Sequence, residues 1–369
     1  MIGRVIEIGS EGCQLERERG SMVVIKDGAE QGRIPLDDIG VLLCNARSIT
    51  YSNSLLTELA RRGVAVVLCG DNYLPAAWLW PVEGHHVQAM RMRFQLEAQK
   101  PLQKRLWQAV VREKVTRQKA ALQTLQKLPA GSPVGADFDD MARRVRSGDP
   151  DNIEAQAARK YWPLLFGKKF RRERSGSGPN PLLNYGYTVL RAAVARAVVS
   201  AGLHPSLSMH HSNRGDSFCL ADDLMEPYRP IVDCAVARLV TEGHAEIKPE
   251  TKRALAGILV MDMETDEGTT PLQTCIERTA SSLARAYETG VAALTFPHRS
   301  QTALIPPEGD RDASLRPEGD RDASLRPEGD RDSSLRPEGD RDASLRPEGD
   351  RDEEVMSDAP ASRTQGRRI

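Results

Sequence analysis

The sequence contains no long apolar run. None of its stretches approaches the roughly 18 consecutive apolar residues that a membrane-spanning helix needs, so we expect no association with a membrane. The chain begins with MIGRVIEIGSEG, in which apolar and polar residues alternate, whereas a secretory signal has basic residues followed by an apolar run. These absences predict a cytoplasmic protein.

Cysteine is scarce and scattered along the chain. The six cysteines, at positions 13, 44, 69, 219, 234 and 275, form no CxxC pair, and a zinc site or a disulfide framework would need closer spacing. Several lie inside apolar runs such as VLLC and VVLC. We interpret them as buried free thiols in a reducing compartment.

The chain has almost no net charge, but its charges are unevenly distributed. Residues 301–369 hold 12 Arg and 18 Asp or Glu, so 39 of the 51 basic residues and 34 of the 52 acidic ones lie in residues 1–300. Within that body, residues 90–128 carry ten basic side chains against Glu97 and Glu113. The ten are Arg91, Arg93, Lys100, Lys104, Arg105, Arg112, Lys114, Arg117, Lys119 and Lys127. Such a basic face suits a polyanion, and the alternative is a solvated helix face.

Two periodicities predict an α+β fold with two folded domains. Over residues 1–82, short alternating segments between turn signals predict a domain of antiparallel strands, with one short helix capped at Ser52 or Asn53. From Val87 the period approaches 3.6, which predicts an α-helical catalytic domain over residues 83–300. Within it we expect LPAGSPVGADFDD to form a loop and the basic KKFRRERSGSGPNP to form a mobile loop.

Residues 301–369 contain an internal repeat with a period of ten. The unit PEGDRDASLR begins at residue 307 and returns at 317, at 327 with Ser in place of Ala, and at 337, with a partial copy at 347. Each copy carries one Leu besides Pro and Gly, so it cannot bury enough apolar surface to offset the entropy of ordering. We predict a disordered tail.

Glu154 is a candidate for chemistry, although its pattern has a simple alternative. It lies in NIEAQAARKYW beside several alanines, which are small enough to let another element or a ligand approach. An ordinary exposed glutamate near a helix N-terminus would have the same pattern.

A second candidate segment is ADDLMEP, which follows a pair of histidines. A helix there would place Asp222, Asp223 and Glu226 on one face, at i, i+3 and i, i+4 spacing. We expect these carboxylates to repel each other unless a cation lies among them. His210 and His211 precede the helix in a loop that could fold over the same face.

One imidazole with two or more carboxylates is a ligand set that suits Mg²⁺ or Mn²⁺ and lacks the thiols that favour Zn²⁺. A hard divalent cation would polarise a phosphodiester oxygen and stabilise the charge of the transition state. These residues alone leave the choice of imidazole open, and His-plus-acid clusters also arise by chance.

Four ordered motifs resemble one known family. IEAQAARKYW, NYGYTVL, HHSN and ADDLMEPYRP together resemble the universal CRISPR-associated spacer-acquisition integrase, in the form found with type II systems. SITYSNSLLTELARRGVAVVLCG and LPAAWLWP resemble its N-terminal part, so the resemblance covers most of residues 1–290.

The resemblance implies a fold, a ligand set and partners. It implies an N-terminal β-domain, which we assign to dimerisation, and a helical catalytic domain that binds double-stranded DNA. It implies a homodimer and a small CRISPR-associated partner protein that bridges two dimers, and it leaves open whether an effector nuclease assists. On the matching positions, Glu154, His211 and Glu226 are the implied catalytic metal ligands, Asp223 is the next candidate acid, and His210 is the runner-up imidazole.

The activity implied is the joining of short foreign DNA to the CRISPR array by attack of its 3′-hydroxyl ends on a phosphodiester. Two alternatives remain at this point: a non-catalytic scaffold that binds duplex DNA, and a general metal-dependent nuclease that cuts without joining. Metal dependence separates the first from the integrase, and strand joining separates the second.

Overall fold

The computed structural model describes residues 3–70, 75–79, 81–82, 84–129, 131–173, 175–211 and 217–298. The predicted disordered tail therefore lies outside the described residues. The α+β prediction is confirmed, because strands dominate the first eighty residues and helices dominate the rest. The first part runs β1 Arg4–Ile8, β2 Cys13–Glu18, β3 Ser21–Lys26, β4 Ala29–Pro35, a 3₁₀ turn Leu36–Asp38, β5 Ile39–Cys44, β6 Ile49–Tyr51, α1 Asn53–Arg61, β7 Ala65–Cys69 and β8 Pro75–Leu79.

The expectation of antiparallel strands is only partly correct. One sheet has the order β1-β5-β7-β8, and its β1/β5 and β5/β7 pairs are parallel. The other has the order β4-β3-β2-β6, with antiparallel β2/β3 and β3/β4 pairs and a parallel β2/β6 pair. Parallel pairing needs a crossover: the β2–β4 hairpins lie between β1 and β5, and α1 lies between β5 and β7. All six residues of β5 are buried, as expected for a strand covered on both faces.

Helix α1 begins and ends where the sequence predicts. The side chain of Ser52 accepts a hydrogen bond from the backbone N–H of Leu55 at 3.3 Å, which caps the helix. Just beyond the last turn, Gly63 has a φ of 65°, a conformation that glycine adopts without strain. Leu55 and Leu59 are fully buried in the smaller of the two apolar cores.

The second part of the described chain is mainly helical. Its elements are α2 Gln88–Glu97, α3 Lys100–Thr124, α4 Pro133–Arg144, α5 Ile153–Phe166, α6 Asn180–Ser200, α7 Cys219–Met225, a 3₁₀ turn Glu226–Tyr228, α8 Arg229–Thr241, α9 Pro249–Ala256, a 3₁₀ turn Gly257–Val260, the hairpin β9 Asp262–Thr265 and β10 Gly268–Pro271, and α10 Leu272–Thr289. The apolar α6 lies in the larger core, which also includes Val41 of β5 and Val67 of β7. The core thus continues across the predicted boundary at residue 82, and the division into domains stays a prediction.

Helix α4 lies where the sequence analysis predicts a loop. The side chain of Ser132 accepts from the N–H of Gly135 at 3.1 Å, and Pro133 occupies the first turn, two features that start helices. Phe138 and Met141 then face the core, one turn apart. Clustered Pro and Gly concealed this helix because both residues are also turn signals.

The basic segment before α6 is irregular, as predicted, but Asn180 holds its backbone. The side-chain oxygen of Asn180 accepts from the N–H of Glu173 at 3.0 Å, and its amide nitrogen donates to the carbonyls of Arg171 and Ser177 at 3.0 and 3.1 Å. Asn180 is 3% exposed. These bonds connect the loop to the first turn of α6.

The sequence predicts no membrane-spanning helix and no disulfide framework. No described helix is both long enough and apolar enough to cross a bilayer. All six cysteines are free, five of them buried and Cys69 half-buried, which confirms the interpretation as free thiols.

Candidate active site

Glu154 lies in the first turn of α5, where two side chains fix the start of the helix. Asn152 adopts a left-handed conformation with φ 52° and accepts a hydrogen bond from the N–H of Ala155 at 3.3 Å. The carboxylate of Asp149 accepts from the N–H groups of Ile153 and Glu154 at 2.9 and 3.0 Å. These bonds satisfy donors that a helix start leaves without partners, so the backbone of Glu154 is held in place.

Asp223, in α7, organises the loop that carries both histidines. Its side chain is fully buried, and the carboxylate accepts hydrogen bonds from the N–H groups of Met209, His210 and His211 at 2.8, 2.9 and 3.3 Å. The same carboxylate lies 2.5 Å from Nδ1 of His211. A buried carboxylate requires such donors, and here they fix the loop and the His211 ring together.

The two histidines have different surroundings. The hydrogen bond to Asp223 raises the pKa of His211, against the effect of burial, and the negative charges of Glu154 and Glu226 add to the rise. Because Nδ1 is bonded to Asp223, Nε2 is the nitrogen left to act as a ligand. The ring of His210 instead stacks on Trp107, with centroids 4.4 Å apart, and burial lowers its pKa. The geometry favours His211 over His210 as the imidazole of the site.

Glu154 and Glu226 meet at Lys114, a residue of α3. Nζ of Lys114 donates to Oε1 of Glu154 at 2.6 Å and forms an ion pair with Oε2 of Glu226. The other oxygen of Glu226 lies 2.9 Å from Nε of Arg229. The side chains of Lys114 and Glu226 are only 11% and 7% exposed. The structure thus brings two of the predicted site residues to one buried cation.

Charge pairing outweighs burial on both sides of this contact. Burial opposes the charged form of Glu226, but Arg229 and Lys114 hold the pKa of its carboxyl below the ordinary value. Burial likewise opposes the charged form of Lys114, yet Glu226 and Glu154 raise the pKa of its ammonium. The carboxyl of Glu226 and the ammonium of Lys114 are therefore charged at neutral pH.

The acids Asp222, Asp223 and Glu226 each have their own partners, and cations pair with two of them. Asp222 forms two hydrogen bonds with the guanidinium of Arg191, at 2.7 and 2.8 Å. Asp223 holds the histidine loop, and Glu226 pairs with Lys114 and Arg229. Helical spacing alone did not reveal these partners on other elements, and Asp223 supports His211 instead of joining a shared acidic face.

The donor types of Glu154, Glu226 and His211 suit a hard divalent cation. Among the residues that the structure describes, no three His, Cys, Asp or Glu side chains lie close enough together to share one metal ion. Oε2 of Glu226 is buried and, beyond its ion pair with Lys114, makes no hydrogen bond of ordinary geometry. The position attracts positive charge and offers two carboxylates. Glu154, Glu226 and His211 have the donor types that suit Mg²⁺ or Mn²⁺, and to share one ion Lys114 would have to move aside and the three side chains would have to come closer together.

A cavity of about 180 Å³ adjoins Lys114 and Glu226. Its wall includes Asp233, which accepts hydrogen bonds from the hydroxyls of Tyr161, at 3.0 Å, and Tyr187. Burial raises the pKa of Asp233 to about 7, against the effect of these two bonds. The other lining residues are Gln118, Ala158, Trp162, Arg172, Arg229 and Pro230.

The prediction that Lys114 and Arg117 lie on the basic surface is wrong, because both side chains are buried. Lys114 is 9% and Arg117 5% exposed. Arg117 donates to Glu113 at 2.8 Å and to the carbonyl of Pro297 at 2.6 Å. A signal was present, because both cations fall on the same helical stripe as Trp107 and Val110, and charges on an apolar stripe are rarely buried without a specific partner.

The remaining basic face of α2 and α3 is largely exposed. Six of the ten predicted residues are exposed: Arg93, Lys100, Lys104, Arg105, Arg112 and Lys127. Lys168, Lys169 and Arg171 of the loop before α6 are exposed as well. This distribution leaves most of the predicted phosphate-binding side chains accessible to a polyanion.

The sequence of this chain is similar to that of known proteins. Residues 6–264 match the family model for CRISPR associated protein Cas1. The CRISPR-associated endonuclease Cas1 of Neisseria meningitidis serogroup C is 37% identical over 247 residues, which cover 66% of this chain and 79% of that protein.

Solved structures share the fold at low sequence identity. A casposase bound to an integration product has a TM-score of 0.68 at 20% identity, over 79% of this chain and 93% of that one. A Cas6-RT-Cas1–Cas2 complex has a TM-score of 0.63 at 17% identity, over 83% of this chain and 36% of that longer one. The match over residues 6–264 and the identity to the Neisseria protein confirm the resemblance predicted from the motifs, and the chain belongs to the Cas1 family of CRISPR-associated proteins.

Proposed function

We propose that this protein is a metal-dependent DNA integrase of CRISPR adaptation, with Glu154, His211 and Glu226 as the metal ligands. The observation that carries the proposal is the convergence of Glu154 and Glu226 on one buried cation position. His211, held by Asp223, lies near enough for both carboxylates to act on its pKa. The endonuclease named among the relatives supports phosphodiester chemistry.

The reaction proposed is a transesterification. The 3′-hydroxyl oxygen of the incoming DNA attacks a phosphorus of the target strand, the bond from that phosphorus to the target's own 3′ oxygen breaks, and the leaving oxygen takes up a proton. A bound Mg²⁺ or Mn²⁺ would polarise the phosphodiester and neutralise charge that develops on its oxygens. Attack by water in place of the hydroxyl would give cutting.

The chain's own groups divide the remaining work. Glu154 and Glu226 would supply carboxylate oxygens and His211 would supply Nε2, while Asp223 fixes the tautomer and direction of that ring. The exposed Lys and Arg residues of α2 and α3 would bind duplex phosphates without reading sequence.

The proposal extends to partners. Duplex DNA is the substrate, and we propose a homodimer that acts with a small partner protein, which the similarity to a chain of a Cas6-RT-Cas1–Cas2 complex supports.

The test is a strand-joining assay with purified protein, the small partner and a labelled short duplex. Glu154→Ala, His211→Ala and Glu226→Ala should each abolish the joined product while DNA binding persists. His210→Ala should retain joining, because its ring stacks on Trp107. Full joining by Glu226→Ala would overturn the assignment. If the wild type bound DNA equally with and without chelator and formed no covalent product, the protein would be a scaffold. Cutting of DNA without joining would indicate a general nuclease.

A further inference from the structure

Lys114 is a buried cation at the position that the proposed metal would take. Its ammonium contacts Glu154 on α5 and Glu226 on the 3₁₀ turn after α7. These residues belong to elements that lie far apart in the sequence. Two carboxylates brought together in the interior repel each other strongly unless a positive charge lies between them. Lys114 supplies that charge from within the chain.

A divalent ion bound by both carboxylates would take the position that the Lys114 ammonium now occupies. The two cations cannot be there at the same time. If the ion binds there, the ammonium must move, and a displaced buried cation needs new acceptors. The cavity of about 180 Å³ lies directly beside Lys114 and provides room for this movement.

Acceptors for the displaced ammonium already line that cavity. Gln118 lies one helical turn beyond Lys114, is 3% exposed, and its Oε1 has no hydrogen-bond partner among the described residues. Asp233 lies on the same wall, where burial disfavours its charged form. An ammonium moved into the cavity would donate to the unpaired Gln118 oxygen and would favour the charged form of the Asp233 carboxyl.

We propose that Lys114 is a resident counter-cation that holds Glu154 and Glu226 together without metal and moves into the Gln118–Asp233 cavity when metal binds. This inference rests on the proposed function, because it takes Glu154 and Glu226 as metal ligands. Lys114 is therefore a positioning residue that competes with the metal and keeps the site assembled in its absence.

The test compares Lys114→Met with Lys119→Met in the full-length protein. Both substitutions remove an ammonium from α3 and keep a flexible chain, but Lys119 forms a half-buried pair with Asp139 at 2.6 Å. Lys114→Met should bind Mn²⁺ about tenfold more tightly by calorimetry, since each 1.4 kcal/mol of released competition is about one decade. The metal-free variant should also unfold at a lower temperature than the wild type, and saturating Mn²⁺ should restore it. Lys119→Met should change neither the affinity nor the response to metal.

A second variant tests the destination of the ammonium. Gln118→Met removes the unpaired acceptor, so it should weaken Mn²⁺ binding severalfold while the melting temperature of the metal-free protein is kept or raised. This variant decides the matter if Lys114→Met fails to fold, because unchanged Mn²⁺ affinity in Gln118→Met would then overturn the proposal.

The outcomes separate this inference from the proposed function. Loss of Mn²⁺ binding in Glu154→Gln together with unchanged or weaker binding in Lys114→Met would refute only the role of Lys114, leaving it a structural ion pair. Undiminished Mn²⁺ binding in Glu154→Gln would refute the ligand assignment itself.

Discussion

Replacing Asp223 with Asn removes the charge that holds the histidine loop and keeps the shape of the side chain. In the wild type, one carboxylate oxygen accepts from the N–H groups of Met209 and His210, and the other accepts from the N–H of His211 and faces its Nδ1. An amide nitrogen placed at either oxygen position confronts donors. Whichever way the amide turns, hydrogen bonds of the loop are lost at a fully buried site.

The size of the effect follows from these contacts. Each buried N–H left without an acceptor costs about 1–3 kcal/mol, so two of them should lower the free energy of unfolding by roughly 2–6 kcal/mol. The loss of an oriented partner behind a metal-binding imidazole typically weakens metal affinity by about 10–100-fold. The pKa of His211 should fall, because the bond to Asp223 is the largest contribution to its rise.

Asp222→Asn is the matched control, since it makes the same change one residue away. Asp222 pairs with Arg191, whereas the carboxylate of Asp223 holds the histidine loop. Mn²⁺ binding is measured by calorimetry, and the His211 pKa by NMR titration of its ring protons. The reasoning is refuted if Asp223→Asn binds Mn²⁺ as tightly as Asp222→Asn and the His211 pKa does not move.

Three further predictions concern pH, DNA binding and the basic loop. Asp233 has a folded pKa of about 7 against about 3.9 unfolded, so the folded state binds the extra proton and stability falls as pH rises from about 4 to 7. In Asp233→Asn this part of the decrease in the free energy of unfolding, on the order of 2–4 kcal/mol, should be absent. If the free energies of unfolding of wild type and variant changed in parallel with pH, the prediction would be contradicted. Lys104→Ala and Arg105→Ala should each reduce the salt dependence of duplex binding by about one unit of slope, and an unchanged slope would remove them from the interface. Asn180→Ala should speed amide exchange in the preceding loop, and unaltered exchange would mean that other contacts hold it.

The sequence predicted those elements whose signals are local. Ser52 and Gly63 bound α1 because a cap and a left-handed glycine act within one turn. The helix of α5 and its Glu154 followed from local pattern in the same way. The parallel pairing of β1 with β5 was missed because a buried central strand shows no alternation, and only the crossover determines its direction.

The candidate site was predictable only in part, for a related reason. Motif resemblance supplied Glu154, His211 and Glu226, but the relations among them depend on side chains from other helices. Lys114 is forty residues from Glu154 and more than one hundred from Glu226 in the sequence, so no spacing rule connects them. The spacing of Asp223 in the sequence is that of a metal ligand, but in the structure its carboxylate contacts Nδ1 of His211 and orients that ring.

The position of bound metal is the most direct measurement of the central claim. Crystals of the protein soaked with Mn²⁺ and measured at the manganese absorption edge would show the ion as an anomalous peak. We predict one strong peak in contact with Glu154, Glu226 and Nε2 of His211, with the Lys114 ammonium withdrawn towards Gln118. A peak elsewhere, or no peak at saturating Mn²⁺ while Lys114 still joins the two glutamates, would contradict the account.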